Sequence, residues 1–324
     1  MVLSALAKLI GSSLAPSGEN ARLSILMYHR VLREPDPLMH TEMHATYFDA
    51  QIHALTQYFR CLPLAEAIRR LREGTLPSRA ACITFDDGYR DNVDVALPIL
   101  RKHGVPAIFF IATGYLNGGR MFNDTVIEAI RRAPSTALDL SNLGASRVPL
   151  TNVEERRAAI WECLRVAKYM SPQERTSFVT EIARQAGAQL PDDLMMDSRH
   201  LSVLIDAGME IGAHTISHPI LNTVTDAEAR QEIVDSKARL ESLTGREIAL
   251  FAYPNGIPGR DYNSAHVSMV REAGFRAAVS TSWGVSTRST DCFQLPRFTP
   301  WDRTPLRFTA RMLHNCAVNR PSFA

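Results

Sequence analysis

The sequence lacks any CxxC pair, and its five cysteines (Cys61, Cys82, Cys163, Cys292 and Cys316) are scattered and odd in number. A disulfide framework is therefore not expected, and a reducing compartment is favoured. No apolar run approaches the ~18 residues that a membrane span needs, so an integral span is excluded from the reading. No block of lysine and arginine offers a track for a phosphate backbone, and a net charge of +2 argues for no nucleic-acid partner. The opening stretch MVLSALAKLIGSSLAPS is mildly apolar, but Lys8 interrupts it and no basic run precedes it. Residues 1–20 therefore read as a short amphipathic segment rather than a cleaved leader.

What the chain does have is the composition of a soluble globular protein, 45% hydrophobic and 22% charged, and enough length for one large α/β domain or two ordinary ones. Its apolar runs alternate with helical patterns. Ser24–Met27, Cys82–Phe85, Val105–Ala112, Met209–Ala213, Ile248–Ala252 and Phe275–Ser280 read as strands, with Phe293–Arg297 as a last short one. Helices are expected between them, including one from Asn92 to His103 closed by Gly104 and a long one opened by the capping box Thr225–Glu228. Strand, helix and strand in short succession make right-handed parallel units. Residues 116–200 break this rhythm and read as an inserted helical subdomain beside the barrel mouth. The fold expected is a distorted (β/α) barrel of about seven parallel strands over 21–303, followed by a weakly helical basic tail, 304–324.

Two stretches carry chemistry. In ITFDDG a buried strand ends on two adjacent carboxylates, Asp86 and Asp87, followed by Gly88. Burying such a pair is costly unless a cation offsets it. Consecutive strand residues point to opposite faces, so the two carboxylates are expected to divide the labour, one binding metal and the other acting as a base. In EIGAHTISHP a second short strand delivers His214 and His218, four residues apart. Two histidines and one carboxylate leave coordination positions open, which is the form of a catalytic metal site rather than a closed structural one. His29, Asp86, Asp87, His214, His218, the Tyr253–Asn255 turn and Arg297 all fall at the C-terminal ends of expected strands, where parallel barrels place their active sites.

TFDDG and HTISHP, in this order, resemble the first two motifs of the polysaccharide deacetylase family (NodB homology, carbohydrate esterase family 4), and the resemblance spans roughly residues 20–300. It implies an acetylated glycan as substrate and a divalent ion as cofactor. Zn²⁺ is expected for a His₂Asp set, although cobalt and nickel fit the same ligands. By the same resemblance Asp86 is the general base, and Asp87, His214 and His218 are the metal ligands. The family's third motif stands here as Ala252-Tyr253-Pro254-Asn255-Gly256: Asn255 replaces a tyrosine whose backbone N–H helps hold the oxyanion, and Ala252 replaces an arginine. The lost arginine leaves the orientation of Asp86 open, with Arg297 in LPRF as a substitute. Met27-Tyr28-His29 matches the biofilm-type poly-N-acetylglucosamine deacetylases, which makes His29 the expected general acid, with His314 as its rival. Trp283 reads either as a sugar-stacking ring or as a core residue.

The function expected is a metal-dependent hydrolase that removes N-acetyl groups from N-acetylglucosamine units of a bacterial polysaccharide or glycolipid. An esterase for O-acetyl sugars and an inactive carbohydrate-binding relative are the alternatives. The cysteine usage places the protein in the cytoplasm or at the inner membrane's periphery, with secretion left open.

Overall fold

The apolar runs form strands whose residues are buried on both faces, as expected when a sheet is covered by helices outside and closes on itself inside. A computed structural model describes residues 11–141, 147–318 and 321–324. The first half of the expected N-terminal amphipathic segment, residues 1–10, lies outside them. In chain order, β1 (Leu23–Tyr28) is followed by α1 (Ala45–Tyr58), β2 (Arg60–Cys61), α2 (Leu64–Arg72) and β3 (Ala80–Phe85). A π-helical stretch (Asn92–Ala96) then runs into α3 (Leu97–His103), and β4 (Ile108–Ile111) follows. Next come α4 (Phe122–Arg132), the hairpin strands β5 (Ala137–Asp139) and β6 (Arg147–Pro149), α5 (Val153–Ala167) and α6 (Pro172–Ala186). The alternation resumes with α7 (Arg199–Asp206), β7 (Glu210–Ala213), α8 (Asp226–Thr244), β8 (Leu250–Ala252), α9 (Ser264–Glu272), β9 (Ala277–Val279) and α10 (Pro305–Ala317).

The main sheet is parallel throughout, in the order β1-β3-β4-β7-β8-β9, with β2 paired to the start of β3. A further segment closes it into a distorted barrel. Val279 bridges Leu295 on one side, and Leu26 bridges Phe298 on the other. The Leu295 N–H donates to Ala278, the Ser280 N–H to Leu295, the Phe298 N–H to Ile25 and the Met27 N–H to Phe298. The expectation of a strand over Phe293–Arg297 thus needs correction: the segment is extended but forms single bridges rather than a ladder. Pro296, in its middle, has no N–H to give.

Side chains alternate across the barrel wall. Leu23, Ile25, Ala80, Cys82, Ile108, Phe110, Leu250, Ala252, Ala277, Val279 and Leu295 form an inner core, which Leu64, Ala67, Ile68 and Leu71 of α2 join. Phe85, Phe109, Ile111, Phe251 and Tyr253 pack outward against the helices. Gly212 is required inside, because a Cβ there would lie 2.4 Å from the Phe110 ring.

Helices α4 to α6 and the hairpin, in the stretch expected to be an insertion, pack around a core of their own at Ile130, Ile160, Phe178 and Ile182. Ser171 and Glu174 cap α6 reciprocally, with Pro172 in the first turn, as the sequence predicts. The β5–β6 hairpin was not expected. Residues 304–324, expected as a tail, instead supply α10, whose Phe308 and Met312 are buried in the main core one turn apart.

Candidate active site

At the C-terminal end of the barrel a cavity of about 250 Å³ is lined by His29, Asp86, Asp87, His214, His218 and Asn255, together with Thr281, Met121, Phe122, Asn123, Leu164 and Lys168. Every residue that the sequence assigned to catalysis or metal binding opens into it. His314 does not: it lies exposed in the last turn of α10.

The two aspartates follow β3 and part company as expected. Asp86 continues the inward-facing series Ala80, Cys82, Thr84 and meets Arg297, which the closing segment carries into the barrel. Arg297 is fully buried and grips Asp86 with two parallel bonds, Nη1 to Oδ1 at 2.7 Å and Nη2 to Oδ2 at 2.8 Å. Its remaining donors reach Thr84 Oγ1 and the Ser280 carbonyl, both at 3.0 Å. Burial alone would raise the Asp86 carboxyl, but the charge and bonds of Arg297 outweigh it and hold it below the usual carboxylate range, ionised. The arginine missing at position 252 is thus replaced from another element, while the Ala252 carbonyl accepts a bond from His214 Nδ1 at 2.8 Å.

Asp87, His214 and His218 bring one oxygen and two nitrogens within 4.8 Å of one another. Asp87 Oδ1 lies 3.5 Å from His214 Nε2 and 3.4 Å from His218 Nε2, and the two Nε2 atoms are 3.1 Å apart. With its Nδ1–H committed to Ala252, His214 turns a lone pair toward its neighbours. Among the described residues, buried Asp87 Oδ1 has no hydrogen-bond partner. Three converging donor atoms, one of them an orphaned buried oxygen, fit a divalent cation. Burial is the largest cause and pushes His218 down to about 3 against the pull of Asp87, so it stays neutral and able to ligate.

The site is held by strained backbone. Asp87 (φ 78°), Thr215 (φ 63°), His218 (φ 55°) and Asn255 (φ 57°) all occupy the left-handed region, at about 1–2 kcal/mol each for residues with a Cβ. Contacts on two sides fix the histidine loop. Thr113 and Gly114 donate their N–H groups to the Thr215 and Ile216 carbonyls, and a Cβ on Gly114 would come within 2.7 Å of the Ile216 oxygen. From α8, Glu232 accepts from Ile216 N (2.7 Å), Ser217 N (2.9 Å) and Ser217 Oγ (2.6 Å).

His29 stands exposed just past β1, its carbonyl held by Asn92 Nδ2 at 2.8 Å. Next to it, Asp91 accepts from Arg30 Nε and the Val31 N–H. Among the described residues, the Asn255 N–H has no protein acceptor. It is free to face a substrate oxygen at the cavity.

Sequence reasoning missed Glu232, which has no local motif because it acts through a loop 15 residues away. It also missed the cavity wall from the insertion. Leu164 and Lys168 stand four apart at the end of α5, so they share one helix face; that spacing was readable, but not what it faced.

A sequence model of the family described as "Polysaccharide deacetylase" matches residues 73–171 and 174–278. Among curated proteins, the chain is similar to the poly-beta-1,6-N-acetyl-D-glucosamine N-deacetylase of Staphylococcus aureus (strain N315), 25% identical over 60% of this chain and 72% of that protein. Its fold is that of the Streptococcus pyogenes deacetylase PplD in complex with acetate, with a TM-score of 0.61 at 19% identity over 90% of this chain and 99% of the other. IcaB from Ammonifex degensii gives 0.58 at 16% identity over 93% and 99%.

Proposed function

The chain belongs to the polysaccharide deacetylase family, and on that premise we propose that it hydrolyses the N-acetyl groups of N-acetylglucosamine units in a bacterial polysaccharide or glycolipid, with zinc as its ion. The observation that carries this reading is one cavity holding a clamped carboxylate, a metal-competent triad, an exposed histidine and an unpartnered backbone N–H. The similarity to a poly-N-acetylglucosamine deacetylase supports the choice of an amide-linked acetyl group.

An ion held by Asp87, His214 and His218 would polarise the acetamide carbonyl and acidify a water molecule. Asp86, ionised under Arg297, accepts the proton of the attacking water. As the carbonyl oxygen gains charge, the Asn255 N–H donates to it. His29 then gives a proton to the amine nitrogen while the C–N bond breaks, because an amide leaves only as a neutral amine. Acetate and a glucosamine unit result.

Acetate release from N-acetylglucosamine oligomers, with bound metal quantified in the same preparation, tests the reading. Activity that stops with a chelator and returns with Zn²⁺ is the expected result. Metal bound without acetate release from any oligomer would reject the amide substrate.

Two variants separate the roles. His29→Ala should lower kcat ~10²–10³-fold with metal content intact, as for a deleted general acid, and His314→Ala should stay near wild type. The reverse pattern would reassign the acid. His214→Ala should weaken metal binding at least ~10-fold, since even the outer partners of metal ligands are worth 10–100-fold. Titration with a metal-competing dye reads this directly, and unchanged affinity would remove His214 from the ligand set.

A further inference from the structure

The loop after β3 carries more than a base and a metal ligand. Three bonds run from it to the stretch that bears His29. The Asp86 N–H donates to the Tyr28 carbonyl at 2.9 Å, Asn92 Nδ2 donates to the His29 carbonyl at 2.8 Å, and Asp91 Oδ1 accepts from the Val31 N–H at 3.1 Å. Asn92 Nδ2 also reaches Asp91 Oδ1 at 3.1 Å, which joins the two side chains. The second Asp91 oxygen holds Arg30 Nε at 2.8 Å. The Arg30 guanidinium is fixed on two further sides, over the Tyr89 ring at 4.7 Å and 3.9 Å from Asp124 of α4. Asn92 is fully buried and opens the π-helical stretch, a widened turn that is rare and concentrated at functional sites. Among the described residues, the His29 imidazole itself has no hydrogen-bond partner, so its place is set by the backbone that carries it.

An acid works only where the departing atom is, and misplacement by about 1 Å costs on the order of 10²-fold in rate. Resting on the role of His29 in the reading above, we propose that Asp91 and Asn92 are positioning residues for the general acid. Neither lines the catalytic cavity. They act by fixing the His29–Val31 turn, so that the imidazole stands beside the nitrogen as the C–N bond breaks. Base, metal ligand and the mount of the acid then all issue from one stretch, Asp86–Asn92. The role has a chemical signature. An amine leaves only after it is protonated, whereas p-nitrophenolate leaves the same acetyl group as a stable anion and needs no acid. Loosening the mount therefore slows amide cleavage and spares the aryl ester.

The test is kcat on an N-acetylglucosamine oligomer and on p-nitrophenyl acetate, for the wild type, Asp91→Ala, Asn92→Ala, Asp91→Asn, and each alanine variant in a His29→Ala background. Each alanine variant should lose about 10-fold in kcat on the oligomer, with KM nearly unchanged, and no more than about 2-fold on the ester. Asp91→Asn is the same size and keeps an oxygen for the Val31 N–H. It should lose only about 3-fold, on the oligomer alone, so the contrast survives if an alanine variant fails to fold. Once His29 is gone, the same substitutions should cost no more than about 2-fold further, because they act through it. Equal losses on amide and ester, losses that add in full to that of His29→Ala, or no loss on the oligomer overturn the positioning role while the deacetylase reading stands. A wild type that releases acetate from the ester but from no oligomer overturns both.

Discussion

Asp86→Asn should reduce turnover at least ~10³-fold, toward the upper range for loss of a general base, while metal binding stays within about 2-fold of wild type. The amide is the same size and can still accept one bond from Arg297, so the barrel closes around it. What it cannot do is take a proton from water. Metal should stay because the triad of Asp87, His214 and His218 does not include Asp86. Acetate release and metal content, measured on the same sample, check the two halves separately. Substantial activity in the variant would remove Asp86 as the base. Loss of metal together with activity would make it a ligand instead.

Arg297→Met should be costly in a different way. Bringing both ions out of water costs several kcal/mol apiece, so the Arg297–Asp86 pair adds little net stability over a well-packed apolar substitute. Removing only one partner is another matter. It leaves a buried carboxylate uncompensated, and the expected loss is about 3–5 kcal/mol. The pH dependence has a definite sign. In the wild type Asp86 is held below its ordinary range, so its contribution is present above the unfolded carboxylate pKa and lost as pH falls through the lower folded value. Without Arg297, burial is opposed only by the nearby His214 and His29, and the folded value is expected to rise above the unfolded one. Asp86 then destabilises the variant increasingly as pH climbs through that interval. The stability gap between wild type and variant should therefore widen as pH climbs from the lowered wild-type value of Asp86 to the raised value in the variant, and the acid limb of kcat/KM should move to higher pH. Denaturant melts at several pH values, read beside the rate profile, check both. A gap that is constant with pH would mean that Arg297 acts only by filling space.

Much of this was legible because strand ends are local. A run such as CITF announces its own burial, and DDG after it places two carboxylates on the rim without knowledge of the partner strands. The same holds for EIGA followed by HTISHP, and for the Thr225 capping box that opens α8. The clamp on Asp86 was less readable. Arg297 is 211 residues away in sequence, and only barrel closure makes them neighbours. It could be nominated from its position at a strand end, whereas its bidentate grip depended on where Pro296 stops the ladder. Glu232 and the insertion wall were out of reach for the same reason: each acts across elements packed by tertiary contacts. Helix α10 was misread as a tail because its apolar face is narrow and most of its neighbours are polar or basic.

The segment that shuts the barrel also carries the group that orders the base, so one short stretch holds two functions in series. Leu295 to Phe298 is joined to the sheet by single bridges on each flank. Local opening there requires far less free energy than melting the long β1–β3 ladder. Such opening withdraws Arg297 from Asp86 and leaves the rest of the barrel standing. Mild heat or denaturant should thus extinguish hydrolysis before any spectroscopic sign of unfolding, with fast amide exchange at Phe298 marking the same threshold.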